Sequence, residues 1–316
     1  MIEAKGTVEE YIEYCRFQNR LSPHTLRAYR SDLIKLICYS DVLGNDLSEI
    51  KANRLIELWT SKYQSRTVSR YISSAKLFYD YLIEKGVVDI NPFSRIKLRL
   101  RRETKLPRVI PKEDLCILIE HARKRVHDAD TLSRMRLATR NLAVIECLFA
   151  TGIRVGELCN IRLNEIDLDE GMIKIHGKGR KERVISICND EVIESVIRYL
   201  SLYDERSDFD RYLFLSNCER RLSEQAVRGF INEYARESGI ESKITPHMFR
   251  HSFATYLLDE DVDIRYIQEF LGHSSISTTE IYTHVSLSRQ KEILSQKHPR
   301  NKLNVRKLDE NTNDNQ

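Results

Sequence analysis

The sequence predicts a mainly α-helical protein in two domains, with one small β-hairpin. Three observations carry that reading. Apolar residues recur at helical spacing through most of the chain. A single pair of β-rich runs flanks a Gly-Lys-Gly turn at 177–179. A proline-containing, basic stretch without hydrophobic period separates two helical parts. The length of 316 residues suits two domains, and 41% hydrophobic residues provide material for two cores.

In the first part, Ser22-Pro23 combines an N-cap with proline at the first helical position. Leu26, Tyr29, Leu33 and Leu36/Ile37 then mark one face of a helix, with Arg27 and Arg30 on the other side. A second helix from about Ser65 carries Val68, Tyr71, Ile72, Leu77, Phe78 and Leu82, and Gly86 stops it. Its polar side presents Arg66, Arg70, Ser73 and Lys76. Asn91-Pro92 ends the helical part. This gives a helical domain over 1–92 and a basic, proline-bearing linker over 93–111.

The second domain is expected over 112–299, and a polar tail over 300–316. Helices are expected at 112–124, 136–150, 154–160, 190–203, 223–238 and 247–259. The runs 172–176 and 183–188 form the hairpin around Gly177-Lys-Gly-Arg-Lys-Glu182. Ile264, Ile267, Phe270 and Leu271 pack a further helix that Gly272 ends. Ser277-Thr-Thr-Glu280 reads as a capping box opening a short helix that carries Tyr282.

Charge and cysteine usage narrow the function. Residues 1–105 hold 19 Lys+Arg against 13 Asp+Glu, although the whole chain carries only +4. Arg95-Ile-Lys-Leu-Arg-Leu-Arg-Arg102 has five cations and no acid. That asymmetry points to a polyanionic partner, while a charge run by itself is ordinary solvated surface. Seven scattered cysteines without a CxxC argue against a disulfide framework and a cysteine zinc site. No run approaches the roughly 18 apolar residues of a membrane span, and the N-terminus lacks a signal-peptide core. A cytoplasmic protein is expected.

Several residues could carry chemistry. His247, Arg250 and His251 share one face of a helix, opposite Phe249, Phe253, Tyr256 and Leu257. Two histidines at i and i+4 can hold zinc, but the catalytic form of that motif has Glu where Met248 stands, so no metal is expected. Arg154 follows a Gly break with Glu157 one turn on, in itself an ordinary surface ion pair. Lys178 sits at a hairpin tip, a place where lysine commonly serves solubility, and GKGRK is not a Walker A loop. Each feature alone has a plain structural explanation. Together, two arginines, a lysine, two histidines (His247 and His273) and a tyrosine form a kit for phosphodiester chemistry without a metal. Arginine forks stabilise charge on a pentacoordinate phosphorus, tyrosine can form a covalent intermediate, and lysine or histidine can protonate a leaving alkoxide.

The segments ATGIRVGEL (150–158), HGKGRKERVI (176–185), TPHMFRHSFATYLL (245–258) and LGHSSISTTEIYTHV (271–285) resemble the tyrosine recombinase (integrase) family in order and spacing. SPHTLRAYRSDL (22–33) and the segment 65–92 resemble its N-terminal, SAM-like core-binding domain. The likeness covers nearly the whole chain and is closest to Xer-like and transposon-borne members. It implies a helical core-binding domain followed by a catalytic domain, closing on DNA as a clamp. It implies that Arg154 is the first catalytic arginine, Lys178 the general acid for the 5′-oxygen, and His247 with Arg250 the HxxR pair. His273 matches the position held by His or Trp, Tyr282 the nucleophile, and Glu157 the supporting acid. Arg27, Arg30, Arg66, Arg70, Arg99, Arg101 and Arg102 are expected to grip DNA phosphates.

The reaction implied is strand exchange through a 3′-phosphotyrosine and a Holliday junction, without ATP, metal or other cofactor. The implied partner is double-stranded DNA with paired inverted half-sites, bound by a homotetramer or by a heterotetramer with a second recombinase. The family also implies that a C-terminal stripe docks on a neighbouring protomer, here Val285, Leu287, Ile293 and Leu294. The segment 121–141 looks longer than in compact members, and an added arm-site-binding domain is not expected. A type IB topoisomerase-like enzyme would use a similar kit, and relaxation of a plasmid without special sites would reveal it. A non-catalytic DNA-binding regulator would tolerate loss of Tyr282 or Arg154.

Overall fold

In a computed structural model of the chain, residues 2–43, 48–96, 108–177, 182–203, 211–272, 287–303 and 305 are described. The chain divides into two compact units, Met1–Lys105 and Leu106–Gln316.

The first unit is built of helices α1 (Ile2–Phe17), α2 (Pro23–Leu43), α3 (Glu49–Lys62) and α4 (Ser65–Glu84). The Ser22 hydroxyl accepts the Thr25 N–H at 3.2 Å, satisfying a donor that the start of α2 leaves open. Leu26, Leu33, Leu36 and Ile37 of α2 are buried against Val68, Tyr71, Ile72, Ala75 and Phe78 of α4. Trp59 of α3 is fully buried and meets Tyr71 edge-on. Gly86 adopts φ +68, a left-handed conformation that turns the chain out of α4. Asn91 then fastens the return: its amide donates to the Lys76 carbonyl and to Asp80, and its oxygen accepts the Phe93 N–H. Phe93 is fully buried, so the first residue of the expected linker belongs to the core of this unit.

The second unit begins equally tightly. Ile110 is fully buried, its N–H donating to Ser252 and its carbonyl accepting the Tyr256 hydroxyl. Helices α5 (Lys112–His127) and α6 (Leu132–Thr151) follow. The polar stretch 121–141 is therefore the end of α5, a short turn, and the first half of α6. Thr131 caps α6 by accepting the Arg134 N–H. From Ala138 to Thr151, α6 is buried on all sides and forms the axis of the unit. Gly152 ends it at φ +59, where an added Cβ would lie 2.6 Å from Phe253.

After the one-turn helix α7 (Val155–Leu158) comes an antiparallel sheet in the order β1 (Ile166–Asp167), β2 (Met172–His176), β3 (Glu182–Ser186). The β2–β3 register runs from Met172 opposite Ser186 to His176 opposite Glu182. Helices α8 (Asp190–Leu200), α9 (Glu224–Glu237), α10 (Pro246–Asp259), α11 (Ile264–Leu271) and α12 (Leu287–Lys297) complete the unit. Among the described residues no helix is long and apolar enough to cross a membrane.

Two expectations change here. Ile293 and Leu294 are buried within their own unit, where α12 lies on β3 and the Gln290 side chain accepts both the N–H and the hydroxyl of Ser186. The pair expected to dock on a neighbour therefore packs on its own chain. Val285 lies outside the described residues, as does the side chain of Leu287. Second, Arg300 and Leu303 were expected in a polar tail, but they are 2% and 8% exposed. The Arg300 guanidinium grips the buried Glu146 carboxylate through two bonds of 2.7 and 2.8 Å.

Candidate active site

Two arginines share one carboxylate, and a third guanidinium lies near them. Arg154 stands at the start of α7, just beyond the Gly152 break, and its guanidinium donates to Glu157 at 2.8 Å. The backbone N–H of Arg154 also donates to Glu157, at 3.0 Å. From β3, Arg183 reaches the same carboxylate at 2.8 and 3.3 Å. Arg250, one turn into α10 and 7% exposed, donates to the carbonyls of Gly152 at 3.0 Å and Leu271 at 2.7 Å. The Arg154 side chain keeps 42% of its surface open to solvent, whereas that of Glu157 keeps 8%.

The electrostatics follow from this crowding. Burial and the neighbouring Arg154 draw the Arg250 guanidinium down to about 10, which leaves it charged at neutral pH. Burial by itself would raise the Glu157 carboxyl, but its bonds to Arg183 and Arg154 more than offset that and hold it below the usual carboxylate range. Three guanidinium charges against one carboxylate leave a positive surplus, and Arg154 offers it to solvent. An anion with several acceptor oxygens would complete the arrangement.

Helix α10 places His247 one turn before Arg250 on the same face, exposed, while Phe249, Phe253, Tyr256 and Leu257 anchor the opposite face in the core. His251 is also exposed, and partial burial together with His247 lowers its pKa. Among the described residues there is no group of three or more His, Cys, Asp or Glu side chains placed to hold a metal. Lys178, His273 and Tyr282 lie outside the described residues, as does the capping box 277–280. Their flanks are fixed. Lys178 stands in sequence between β2 and β3, whose last pair is His176 and Glu182, and His176 sits between Glu165 at 2.5 Å and Glu182 at 3.1 Å. His273 directly follows Gly272, which closes α11 at φ +64.

Arg183 is a site residue that the sequence reading overlooked. The signal was present. In RVISIC, Arg183 falls in phase with Ile185 and Ile187, so a cation occupies the inward face of a strand.

In the first unit, Arg27 and Arg66 are exposed on α2 and α4. Arg30 pairs with Glu9 at 2.6 Å, and Arg70 with the buried Asp32 at 2.5 Å. Arg66 and Arg70 line a groove of about 470 Å³ with Tyr29, Gln64, Ser69 and Ser73. Arg99, Arg101 and Arg102 lie outside the described residues.

Two family descriptions match this chain: the phage integrase family over residues 114–289 and the N-terminal SAM-like domain of phage integrases over residues 8–86. The chain belongs to the phage integrase family of tyrosine recombinases. A tyrosine recombinase of Agathobacter rectalis is 43% identical over 93% of this chain and 96% of its own length. The tyrosine recombinase XerC of Thermodesulfovibrio yellowstonii is 34% identical over 96% of this chain and 99% of its own. XerD of Listeria monocytogenes is 34% identical over 93% and 98%. In fold, the chain is similar to the XerH site-specific recombinase in a post-cleavage complex with a palindromic difH substrate. That structure gives a TM-score of 0.67 at 22% identity, over 92% of this chain and 84% of that one. The protein is thus a site-specific tyrosine recombinase of Xer-like type, with a SAM-like N-terminal domain and an integrase catalytic domain.

Proposed function

We propose that this recombinase breaks and rejoins DNA at the cluster built on Glu157, with Tyr282 as nucleophile. The clustering of Arg154 and Arg183 on the Glu157 carboxylate, with the Arg250 guanidinium beside them on the Gly152 and Leu271 carbonyls, is the observation that carries the reading. Arg154 and Arg250 bind the non-bridging oxygens of the scissile phosphate, and their charge is most stabilising when phosphorus is pentacoordinate. The Tyr282 hydroxyl gives up its proton to water and attacks phosphorus, forming a 3′-phosphotyrosine ester as the bond from phosphorus to the 5′-oxygen breaks, while Lys178 protonates that departing oxygen. His247 and His273 donate hydrogen bonds to the same phosphate. Attack by the 5′-hydroxyl of a partner strand reverses the chemistry, so the ester conserves the bond energy and no ATP or metal enters.

Strand exchange between two duplexes requires four such sites. XerH has been seen on a palindromic substrate, and lambda integrase as a tetramer on a Holliday junction. We assign this chain the same habit: inverted half-sites on double-stranded DNA, occupied by four copies or by two pairs with a second recombinase, in the cytoplasm. Phosphate contacts come from Arg27, Arg30, Arg66 and Arg70 of the first domain and from Arg99, Arg101 and Arg102 of the connecting run. Such contacts position the protein without reading sequence.

The test is covalent trapping on a nicked duplex that carries the inverted half-sites cloned from the DNA flanking the gene. The parent protein should form a denaturation-resistant adduct that persists in excess EDTA. Tyr282→Phe should bind the duplex normally and form none. An adduct with the Phe variant would overturn the assignment.

A further inference from the structure

Arg183 does more than share Glu157. Its Nε donates to the Phe270 carbonyl at 3.2 Å, while its two terminal nitrogens hold the carboxylate. The next carbonyl, that of Leu271, is taken by Arg250. Two guanidinium groups therefore close consecutive acceptors at the C-terminal end of α11, where a helix leaves its carbonyls unpaired and favours cations. Gly272 follows at once in the left-handed conformation. A Cβ there would come within 3.0 Å of the Arg183 Cδ and Nη1, so the arginine lies flat against the turn. From that turn the chain runs directly into His273 and, nine residues later, Tyr282.

The same side chain connects three elements that each carry one part of the proposed chemistry. In sequence, β3 follows Lys178, α7 follows Arg154, and α11 precedes His273 and Tyr282. We infer that Arg183 is a positioning residue for strand cleavage, its planar fork fixing the Glu157 carboxylate that holds Arg154 and the end of α11 that holds Arg250 in one frame, so that both arginines meet the same phosphate. The Arg183 side chain is only 15% exposed and its three guanidinium nitrogens are engaged by Glu157 and Phe270, so it acts through its neighbours and not on phosphorus. The inference rests on the proposed active site and adds a residue to it. A lysine could not replace it: one ammonium on a flexible stem cannot span a carboxylate and a carbonyl in fixed geometry.

Arg183→Gln and Arg183→Lys test the role, read by single-turnover adduct formation on the nicked half-site duplex, by duplex affinity and by the pH profile of the cleavage rate. Both variants should bind the duplex within about twofold of the parent yet form adduct roughly 10- to 100-fold more slowly, the scale of loss that a misplacement near 1 Å produces. The pH profile separates positioning from mere folding. The charged groups facing Glu157 are Arg154 from its own helix, Arg183 from β3 and Arg250 from α10. Removing Arg183 takes away the strongest of the bonds that keep this carboxyl ionised, so the acid limb of the Gln variant should move to higher pH. The Lys variant keeps the charge, and its limb should move less while its rate stays low. Should the Gln variant melt early, the Lys variant carries the same comparison. Parental rates and an unmoved acid limb in both variants would overturn the inference. The Tyr282→Phe control keeps the two readings apart: an adduct persisting there refutes the nucleophile, while the Arg183 comparison still counts adducts whichever residue carries them.

Discussion

In the first domain, Arg27 and Arg66 stand exposed, and Arg30 meets Glu9, a carboxylate itself half open to water. In the catalytic domain, Arg140, Arg250 and Arg300 are each less than a tenth exposed, and every one is bonded to backbone carbonyls or carboxylates from distant segments. The same side chain thus serves two purposes. On the surface it is a mobile charge that a phosphate backbone can collect at little cost. In the interior its desolvation must be offset by several fixed acceptors, so it becomes a structural joint whose loss strands a partner. The contrast teaches that charge counts describe the SAM-like domain well and the catalytic domain poorly.

The largest effect should come from breaking an interior joint. Glu146 is 1% exposed and bound twice by Arg300, which also reaches Glu191 at 2.8 Å. Arg300→Met leaves the Glu146 carboxylate buried, with Arg123 3.6 Å away as its remaining ionic neighbour. The cost should be about 3–5 kcal/mol. The catalytic domain should melt on the order of 10 °C lower. Arg300→Met combined with Glu146→Leu should recover much of that loss, because no buried charge is then left alone. A double variant no more stable than the single one would break the comparison.

These two classes of arginine also mark what could be read from sequence. The Ser22-Pro23 start of α2, the Gly86, Gly152 and Gly272 stops, and the strands around the Lys178 turn all follow local rules, and they fall where expected. Arg154, Glu157 and Arg250 are joined into one site by the family resemblance of their motifs, and their side chains lie in one cluster in the fold. Arg300 was not legible. It stands in a polar string that resembles a tail, and its burial depends on a carboxylate 154 positions earlier. Arg183 was half legible, since strand phase turns it inward but only the tertiary fold supplies Glu157 and Phe270. The start of α6 at Leu132 was hidden by a polar first turn, and the buried residues Leu213, Phe214 and Leu222 lie in a segment with no regular period.

A second interior joint should show itself through pH. His298 is 4% exposed, wedged against Phe149 and Phe253. Its Nδ1 accepts the Arg300 N–H, so the proton sits on Nε2, which donates to the Ala150 carbonyl. Burial lowers its pKa from 6.5 to about 4, although the bond to Ala150 works the other way. The folded state therefore binds this proton later than the unfolded chain does. Stability is unaffected above pH 6.5, falls as pH drops from there, and levels off below about 4. The full loss should be roughly 3 kcal/mol. Chemical denaturation between pH 7 and pH 4 measures it, and His298→Gln should flatten the slope over that interval. An equal slope in parent and variant would show that other groups set the acid sensitivity.

The smallest stability effects, and the sharpest use of the comparison, belong to the surface arginines. Arg30→Ala should change folding stability by less than about 1 kcal/mol, since its partner Glu9 stays hydrated. Its effect on DNA should also differ from that of Arg66→Ala. Each phosphate neutralised by a cation contributes about 0.9 to the slope of log affinity against log salt. Arg66, exposed on the groove between α2 and α4, should contribute a full phosphate contact, so its removal should flatten the slope by nearly that amount. Arg30 already shares its charge with Glu9 and must give up or split that bond to reach a phosphate. Its removal should flatten the slope by less, and in a Glu9→Gln background by the same amount as Arg66→Ala. Arg99, Arg101 and Arg102, changed together to alanine, should flatten it by roughly two to three units if each meets a phosphate. Specific and random duplexes should weaken in parallel in all of these variants, because phosphates carry no sequence information. A variant that weakened only the specific duplex would move its arginine from the phosphate backbone to a base edge. Equal slopes for Arg30→Ala and Arg66→Ala without the Glu9 change would mean that DNA dissolves the surface ion pair, and that even a paired surface arginine is fully available to it.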